Sequence, residues 1–280
     1  MRPVKSKLSL VALSIVAIVV SFLAMAPLLW AIVSAFRPAG DIFRYMNPLT
    51  WLTVLPIPAT LDNFVVVWES SFPLALANSV LVTTVTVALG LAISVPAAFA
   101  LSALNFRGRG LLFAIVLVSF LIPFDSIAIP LSTMFRTLKL SDSYLGIILP
   151  AIGNGLAIFQ LRQFFLNIPV ELKEAARLDG LGWFGLMSRI YIPLAKPAIL
   201  GAGLLIFIFQ WQSYLWPLLI APDPQFILAP IAIANYAEQY NVAYGAVFLA
   251  GVVTAIVPLL VLLATQRLFV QSIATTGSKG

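Results

Sequence analysis

Long apolar stretches broken by brief polar punctuation dominate the 280 residues of this chain. A helix needs roughly 20 mostly apolar residues to cross about 30 Å of hydrocarbon, where its backbone groups can be satisfied only within the helix itself. Six such spans are expected, near 8–35, 76–104, 111–135, 144–165, 197–220 and 244–266. A membrane barrel would alternate apolar and polar residues, and the run LVTTVTVALGLAISVPAAFAL over 81–101 does not. The pattern predicts an all-α integral membrane protein. Pro123 and Pro130 punctuate the third span and Pro150 the fourth, which predicts kinks there. The first span opens like a signal peptide, with Arg2, Lys5 and Lys7 ahead of an apolar run and AMA at 24–26. Its apolar run continues to Phe36 and Pro27 follows the candidate cleavage site, so an uncleaved crossing is the better reading.

The connections differ in length and kind. Residues 37–75 carry Pro38, Pro48, Pro56, Pro58 and Pro73 around apolar segments near Trp51 and NFVVVW, a pattern that predicts a packed cap rather than a turn. Residues 171–199 read ELKEAARLDGLGWFGLMSRIYIPLAKPAI and concentrate charge: Glu171, Lys173, Glu174, Arg177, Asp179, Arg189 and Lys196. Pro169 suits a first helical position, Glu171 the first turn, and Asp179-Gly180 a stop, predicting a helix over 169–179. Glu174 and Arg177 lie one turn apart on it. Gly180 and Gly182 then allow a sharp turn into a second helix over 183–192, closed by Pro193 and Pro197. Ala175 and Ala176 leave the first helix with little bulk, so the unit reads either as a peg with a small-residue tip or as an amphipathic hairpin on the membrane surface.

Composition narrows the options. With 61% hydrophobic and 9% charged residues and a mean hydropathy of +1.06, the chain lies outside the balance of soluble proteins. It has no Cys and no His, which excludes thiol nucleophiles, disulfides, His-containing metal sites and Ser-His-Asp triads. Of its ten acidic residues only Asp125 lies well inside an apolar run, so a membrane-embedded enzyme lacks a convincing constellation. The net charge of +6 reports orientation rather than nucleic-acid binding. Twelve basic residues fall on one side: Arg2, Lys5, Lys7, Arg107, Arg109, Arg162, Lys173, Arg177, Arg189, Lys196, Arg267 and Lys279. Four fall on the other: Arg37, Arg44, Arg136 and Lys139. The asymmetry predicts both termini, and the 166–196 loop, in the cytoplasm, with the 37–75 cap outside.

Glu174-Ala175-Ala176, three residues, Gly180, nine residues, Ile190, one residue, Ile192 and Pro193 resembles the EAA loop of binding-protein-dependent ABC import permeases. FRPAGDIF, TLDNFVVVW, NSVLV and FQWQSYLWPLL are similar to the carbohydrate-uptake branch, the second permease of maltose-type systems. The resemblance implies the type I ABC importer permease architecture, with 166–196 as a coupling loop that docks on an ATPase through Glu174, Ala175, Ala176, Arg177, Asp179, Gly180, Ile190 and Pro193. It further implies a second homologous permease, two ATPase subunits that bind ATP and Mg, an extracytoplasmic solute-binding protein and a sugar-like solute. The chain itself has no G-x-x-x-x-G-K-[ST] phosphate loop, in keeping with a subunit that holds no cofactor and catalyses no hydrolysis. The C-terminal TTGSKG resembles a tail that contacts the ATPase in this family, through Gly277 and Lys279 here, with a frayed terminus as the alternative. Where many relatives have an Asn and an acidic residue after the tryptophan of span five, this chain has Gln212 and Ser213.

Polar residues inside spans are candidates for the solute path, with interhelical hydrogen bonds as the alternative. They are Asp125, Asn154, Gln210, Gln212, Ser213 and Tyr214, joined by Trp211 as a flat face for a sugar ring. Trp216 fits an interfacial anchor, and Gly201, Gly203, Gly245 and Gly251 fit close helix packing. The rival within transport is a secondary carrier driven by an ion gradient, but no internal repeat stands out and almost no charge lies near the midplane.

Overall fold

Helix α1 (Lys7–Ala35) carries an almost unbroken apolar surface outward: Ile18 is 67% and Leu23 65% exposed. Such a surface is at home in hydrocarbon, where Pro27 inside the helix is also tolerated. The computed structural model describes residues 7–46, 48–238 and 242–276. In chain order there come next α2 (Asp62–Trp68), α3 (Phe72–Ala103), α4 (Arg109–Leu121), α5 (Phe124–Thr137), α6 (Tyr144–Ile148), α7 (Gly155–Leu166) and α8 (Val170–Leu178). The remainder comprises α9 (Trp183–Leu186), α10 (Ile192–Leu194), α11 (Lys196–Trp211), α12 (Leu215–Ile220), α13 (Ala229–Glu238) and α14 (Tyr244–Thr276). Regular structure among the described residues is helical, with one isolated bridge between Met46 and Leu49.

Among the described residues three helical segments are long and apolar enough to cross a membrane unaided: Leu13–Ala35, Phe72–Ala103 and Tyr244–Gln266. Three bent pairs bring the total to six if each is one span. The expected third span is two helices, α4 and α5, meeting at 97°. Pro123 lacks the N–H that would continue α4 and holds Ile122 extended, whereas α5 runs on through Pro130. The fourth bends by 40° between the α6 turn and α7. The fifth was expected over 197–220. Its first helix, α11, starts after an 83° bend at Ala195 and ends at Trp211, and α12 resumes at Leu215.

The chain forms two compact units. In the first (to Pro73, with Ala232–Val257), the 37–75 connection folds back on the end of α1. Arg37 is fully buried, and its guanidinium donates to the carbonyls of Leu52 and Leu55 while lying 5.5 Å from the Tyr45 ring. The Asn63 amide donates to the carbonyls of Ala35 and Arg37, 2.8 Å each, and passes so close to Gly245 that a Cβ there would overlap it. Trp30 packs edge-on against Phe248 at 4.9 Å.

The second unit (Leu74–Ile231 with the segment from Pro258) holds two apolar clusters. One gathers Phe99, Leu161, Phe165, Tyr191 and Ile206; the other Val82, Phe135, Ile147, Trp216 and Ile220. Asn78 and Ser79, near the start of α3, bind the 225–229 segment. The Asn78 amide donates to Gln225 and Ile227 carbonyls and accepts from the Tyr144 hydroxyl, and Ser79 Oγ accepts from Ala229 N–H. Trp216 is not an interfacial anchor: it is buried, donates from Nε1 to the Gly146 carbonyl at 3.0 Å and meets Phe135 edge-on at 5.2 Å. Gly203 does permit a close approach, by Leu91, whereas nothing stands within 4 Å of a Cβ at Gly251.

Candidate functional site

The 166–196 loop is a folded hairpin of helices. Pro169 stands one residue before α8, as its N-cap, and Glu171 lies in the first turn, where a negative charge complements free N–H groups. The helix ends at Leu178, and Gly180 closes it with a φ of +82° that suits a residue without a Cβ. Gly180 N–H bonds to the Arg177 carbonyl at 3.1 Å and Leu181 N–H to the Ala176 carbonyl at 3.0 Å, the paired closure that satisfies a helix's last carbonyls. The chain re-enters helix at Trp183, and a π-turn over Met187–Tyr191 leads into α10. Pro193 lies within that helical run rather than closing it; the break comes two residues later, at Ala195.

The faces differ from the small-residue tip expected from sequence. Ala176 is buried among Phe99, Leu161 and Phe165, and Ile190 packs partly against the same cluster, so both point into their own chain. Glu174, Ala175, Arg177, Asp179, Gly180 and Pro193 are exposed. Two large apolar side chains stand out beside them, Leu178 at 88% and Phe184 at 77% exposure. Glu174 has no bonded partner among the described residues, and Arg177 lies over the Trp183 ring at 4.0 Å instead of pairing with it. Tyr191 wedges edge-on between Phe99 (4.9 Å) and Phe165 (5.4 Å), and Lys173 Nζ donates to the Ala103 carbonyl at 2.6 Å. The sequence motif flags neither the apolar pair nor Lys173; an unexplained Leu and Phe on a charged, water-facing loop was the available signal.

Among the described residues no side-chain hydrogen bond joins the candidate path residues to one another; only the backbone does, where Ser213 N–H donates to the Gln210 carbonyl at 3.2 Å. Asp125 sits exposed in the first turn of α5, beside the 97° break, with no bonded partner among the described residues. Asn154 caps α7: its Oδ1 accepts from Ala157 N–H at 2.9 Å. Gln210 is buried with Nε2 unpartnered, and Trp211 is buried and stacked on Phe207 at 5.6 Å. Gln212, Ser213 and Tyr214 form the gap between α11 and α12, with Gln212 and Tyr214 exposed. Gly277 and Lys279 lie outside the described residues.

Residues 89–275 match the family of binding-protein-dependent transport system inner membrane components. The chain is 34% identical to the arabinooligosaccharides transport system permease protein AraQ of Halalkalibacterium halodurans, covering 93% of each. It is 32% identical to the sn-glycerol-3-phosphate transport system permease protein UgpE of Salmonella typhimurium, covering 88% of this chain and 89% of that one. Its fold superposes, with a TM-score of 0.80 at 23% identity, on a chain of a bacterial ABC transporter involved in the import of the acidic polysaccharide alginate, covering 95% and 98% respectively. A second match, at TM-score 0.66 and 17% identity, is to the alginate transporter in complex with an alginate pentasaccharide-bound periplasmic protein, covering 93% and 95%. These likenesses give no support to a secondary carrier. The chain belongs to the binding-protein-dependent transport system inner membrane components and is a permease subunit of an ABC importer.

Proposed function

We propose that this permease moves a sugar or sugar-like solute into the cell, working with a second homologous permease, two separate ATPase subunits that hold ATP and Mg, and an extracytoplasmic solute-binding protein. Relatives named for arabinooligosaccharides, lactose and trehalose transport support the sugar class, and sn-glycerol-3-phosphate relatives widen it to sugar-like esters. Both termini and the 166–196 loop are taken as cytoplasmic, on the charge asymmetry. Closure of the ATPases on ATP draws the loop inward and tilts the attached helices, so this chain transmits work while hydrolysis occurs elsewhere.

The observation that carries this reading is the exposed apolar pair Leu178 and Phe184 on the loop that also bears exposed Glu174 and Gly180. Large apolar groups flanked by charge, on a rigid turn, suit a groove on a partner protein. Ala176 and Ile190 act from behind, holding the loop to its own bundle. Along the path, Trp211 and Gln210 supply a ring face and an amide, Gln212, Ser213 and Tyr214 an opening between helices, Asn154 the end of α7, and Asp125 an exposed carboxylate at a helix break. The tail at Gly277 and Lys279 is assigned a contact with the ATPase.

The test is reconstitution of all subunits in proteoliposomes. Glu174→Lys or Gly180→Trp abolishes ATP-dependent uptake, by uncoupling the subunits or dispersing them; normal uptake in either variant counts against docking through this loop.

A further inference from the structure

The last carbonyl groups of a helix lack partners within it and form the negative end of its dipole. At the end of α3 two cations from other elements, Arg162 and Lys173, meet those groups, and a third, Arg109, meets the residues just beyond. Arg162, from α7, donates Nε to the Leu101 carbonyl at 3.0 Å and lies 3.8 Å from the Phe113 ring. Arg109, at the start of α4, donates to the carbonyl of Leu104 at 3.1 Å and to Asn105 Oδ1 at 3.3 Å. Lys173, from α8, donates to the Ala103 carbonyl at 2.6 Å. No carboxylate pairs with any of the three among the described residues, so carbonyl oxygens and ring faces are their partners.

Lys173 differs from the other two because it belongs to the loop proposed to meet the ATPase. Among the described residues it is the one basic side chain of 166–196 that hydrogen-bonds outside the loop. It also lies 5.9 Å from the Trp183 ring, at the far side of the hairpin. Otherwise the loop meets α3 through apolar packing, with Tyr191 edge-on to Phe99 and Ala176 buried in the same cluster. Apolar contact is non-directional and permits sliding, whereas a charge-assisted hydrogen bond fixes a position.

We propose that Lys173 is a positioning residue that locks the coupling loop to the carbonyl end of α3, so that loop displacement reaches α3 as rigid-body motion instead of being lost to slippage. This inference rests on the coupling role assigned to the loop.

Lys173→Met removes the ammonium and keeps the chain length. In the reconstituted complex it leaves the ATPase subunits copurifying and ATP hydrolysis turning over, while solute imported per ATP falls about tenfold, the scale of one lost hydrogen bond to a charged group. Lys173→Arg restores the ratio. If Lys173→Met weakens assembly, Lys173→Gln is measured in its place with the same expectation. A second readout uses the absence of native cysteine in this chain: spin labels on Phe106→Cys and Leu172→Cys, both exposed, in complexes whose other subunits are made cysteine-free. The 106–172 distance stays single and narrow with and without ATP, and broadens on ATP binding when Lys173→Met is added. An unchanged transport-to-hydrolysis ratio in the lysine variants, or a 106–172 distance that shifts with ATP in the otherwise unaltered chain, overturns the proposal. Glu174→Lys run in parallel separates the two ideas: if it leaves uptake intact the coupling role itself fails, and if it abolishes uptake while the lysine variants are silent only the locking role fails.

Discussion

The 37–75 connection and the 166–196 loop are both fastened by a cation that donates to backbone carbonyl oxygens, yet the two fastenings differ in how far they enclose the cation. Arg37 has no exposed surface; burial pulls its pKa below the ordinary guanidinium range, which Tyr45 and Asp41 partly offset, and its Nε and Nη1 have no hydrogen-bond partner. A buried charge with so few partners persists only where the surrounding chain is packed tightly enough to hold it. Lys173 is half-buried, uses one carbonyl, and leaves the other face of its helix bare. The same chemical device makes a closed plug in one region and a one-sided attachment in the other, and the second kind leaves a surface free for a partner.

Three substitutions test that contrast, from the largest effect on stability to the smallest. Gly245→Val drives a side chain into the Asn63 amide and breaks its bonds to Ala35 and Arg37. It lowers stability by about 3 kcal/mol, the sum of overpacking and unmade buried hydrogen bonds, read as a drop in Tm of the detergent-solubilised protein. An unchanged Tm would mean that the 37–75 connection is not a tight plug. Arg37→Met leaves the Leu52 and Leu55 carbonyls without their donor but also removes a desolvated charge, for a net loss of about 2 kcal/mol in the same assay. A stabilised variant would reverse the sign assigned to this cation. Phe184→Ser removes an exposed ring, so Tm moves by less than about 0.5 kcal/mol equivalent while copurification of the ATPase falls. A Tm loss matching that of Gly245→Val would put Phe184 in the core and erase the difference between the two regions.

Local signals carried the fold a long way. The apolar runs foretold α1 and α3 within a few residues and the start of α14, which continues ten residues past the expected end at 266, and Asp179-Gly180 foretold the end of α8, because a helix of this kind is closed by its own neighbours. Features that depend on distant residues were hidden. Trp216 reads as an interfacial ring until its Nε1 is seen to meet Gly146, 70 residues away. Asn154 reads as a polar group inside a span because the run from 144 to 165 hides the break that makes it a cap. In the EAA-like motif, the spacing of Ala175, Ala176 and Ile190 marks them as a set but does not say which face the bundle covers. Ala176 and Ile190 turn inward, and the large apolar side chains left outside are Leu178 and Phe184, which the motif does not mention. Asn78 and Ser79 were visible only as part of a family-like string, although their hydrogen bonds tether a segment some 150 positions later.

The widened turn at Met187–Tyr191 carries a further implication, one of evolutionary register. A π-turn holds one residue more than an α-helical turn, and each added residue rotates the downstream helix by about 100°. That surplus lets Tyr191 reach its aromatic slot while Arg189 remains in water. A descendant that lost a single codon here would regain an ordinary helix and, by doing so, re-aim every side chain up to the bend at Ala195, so deletions in this short stretch would be far less tolerated than substitutions.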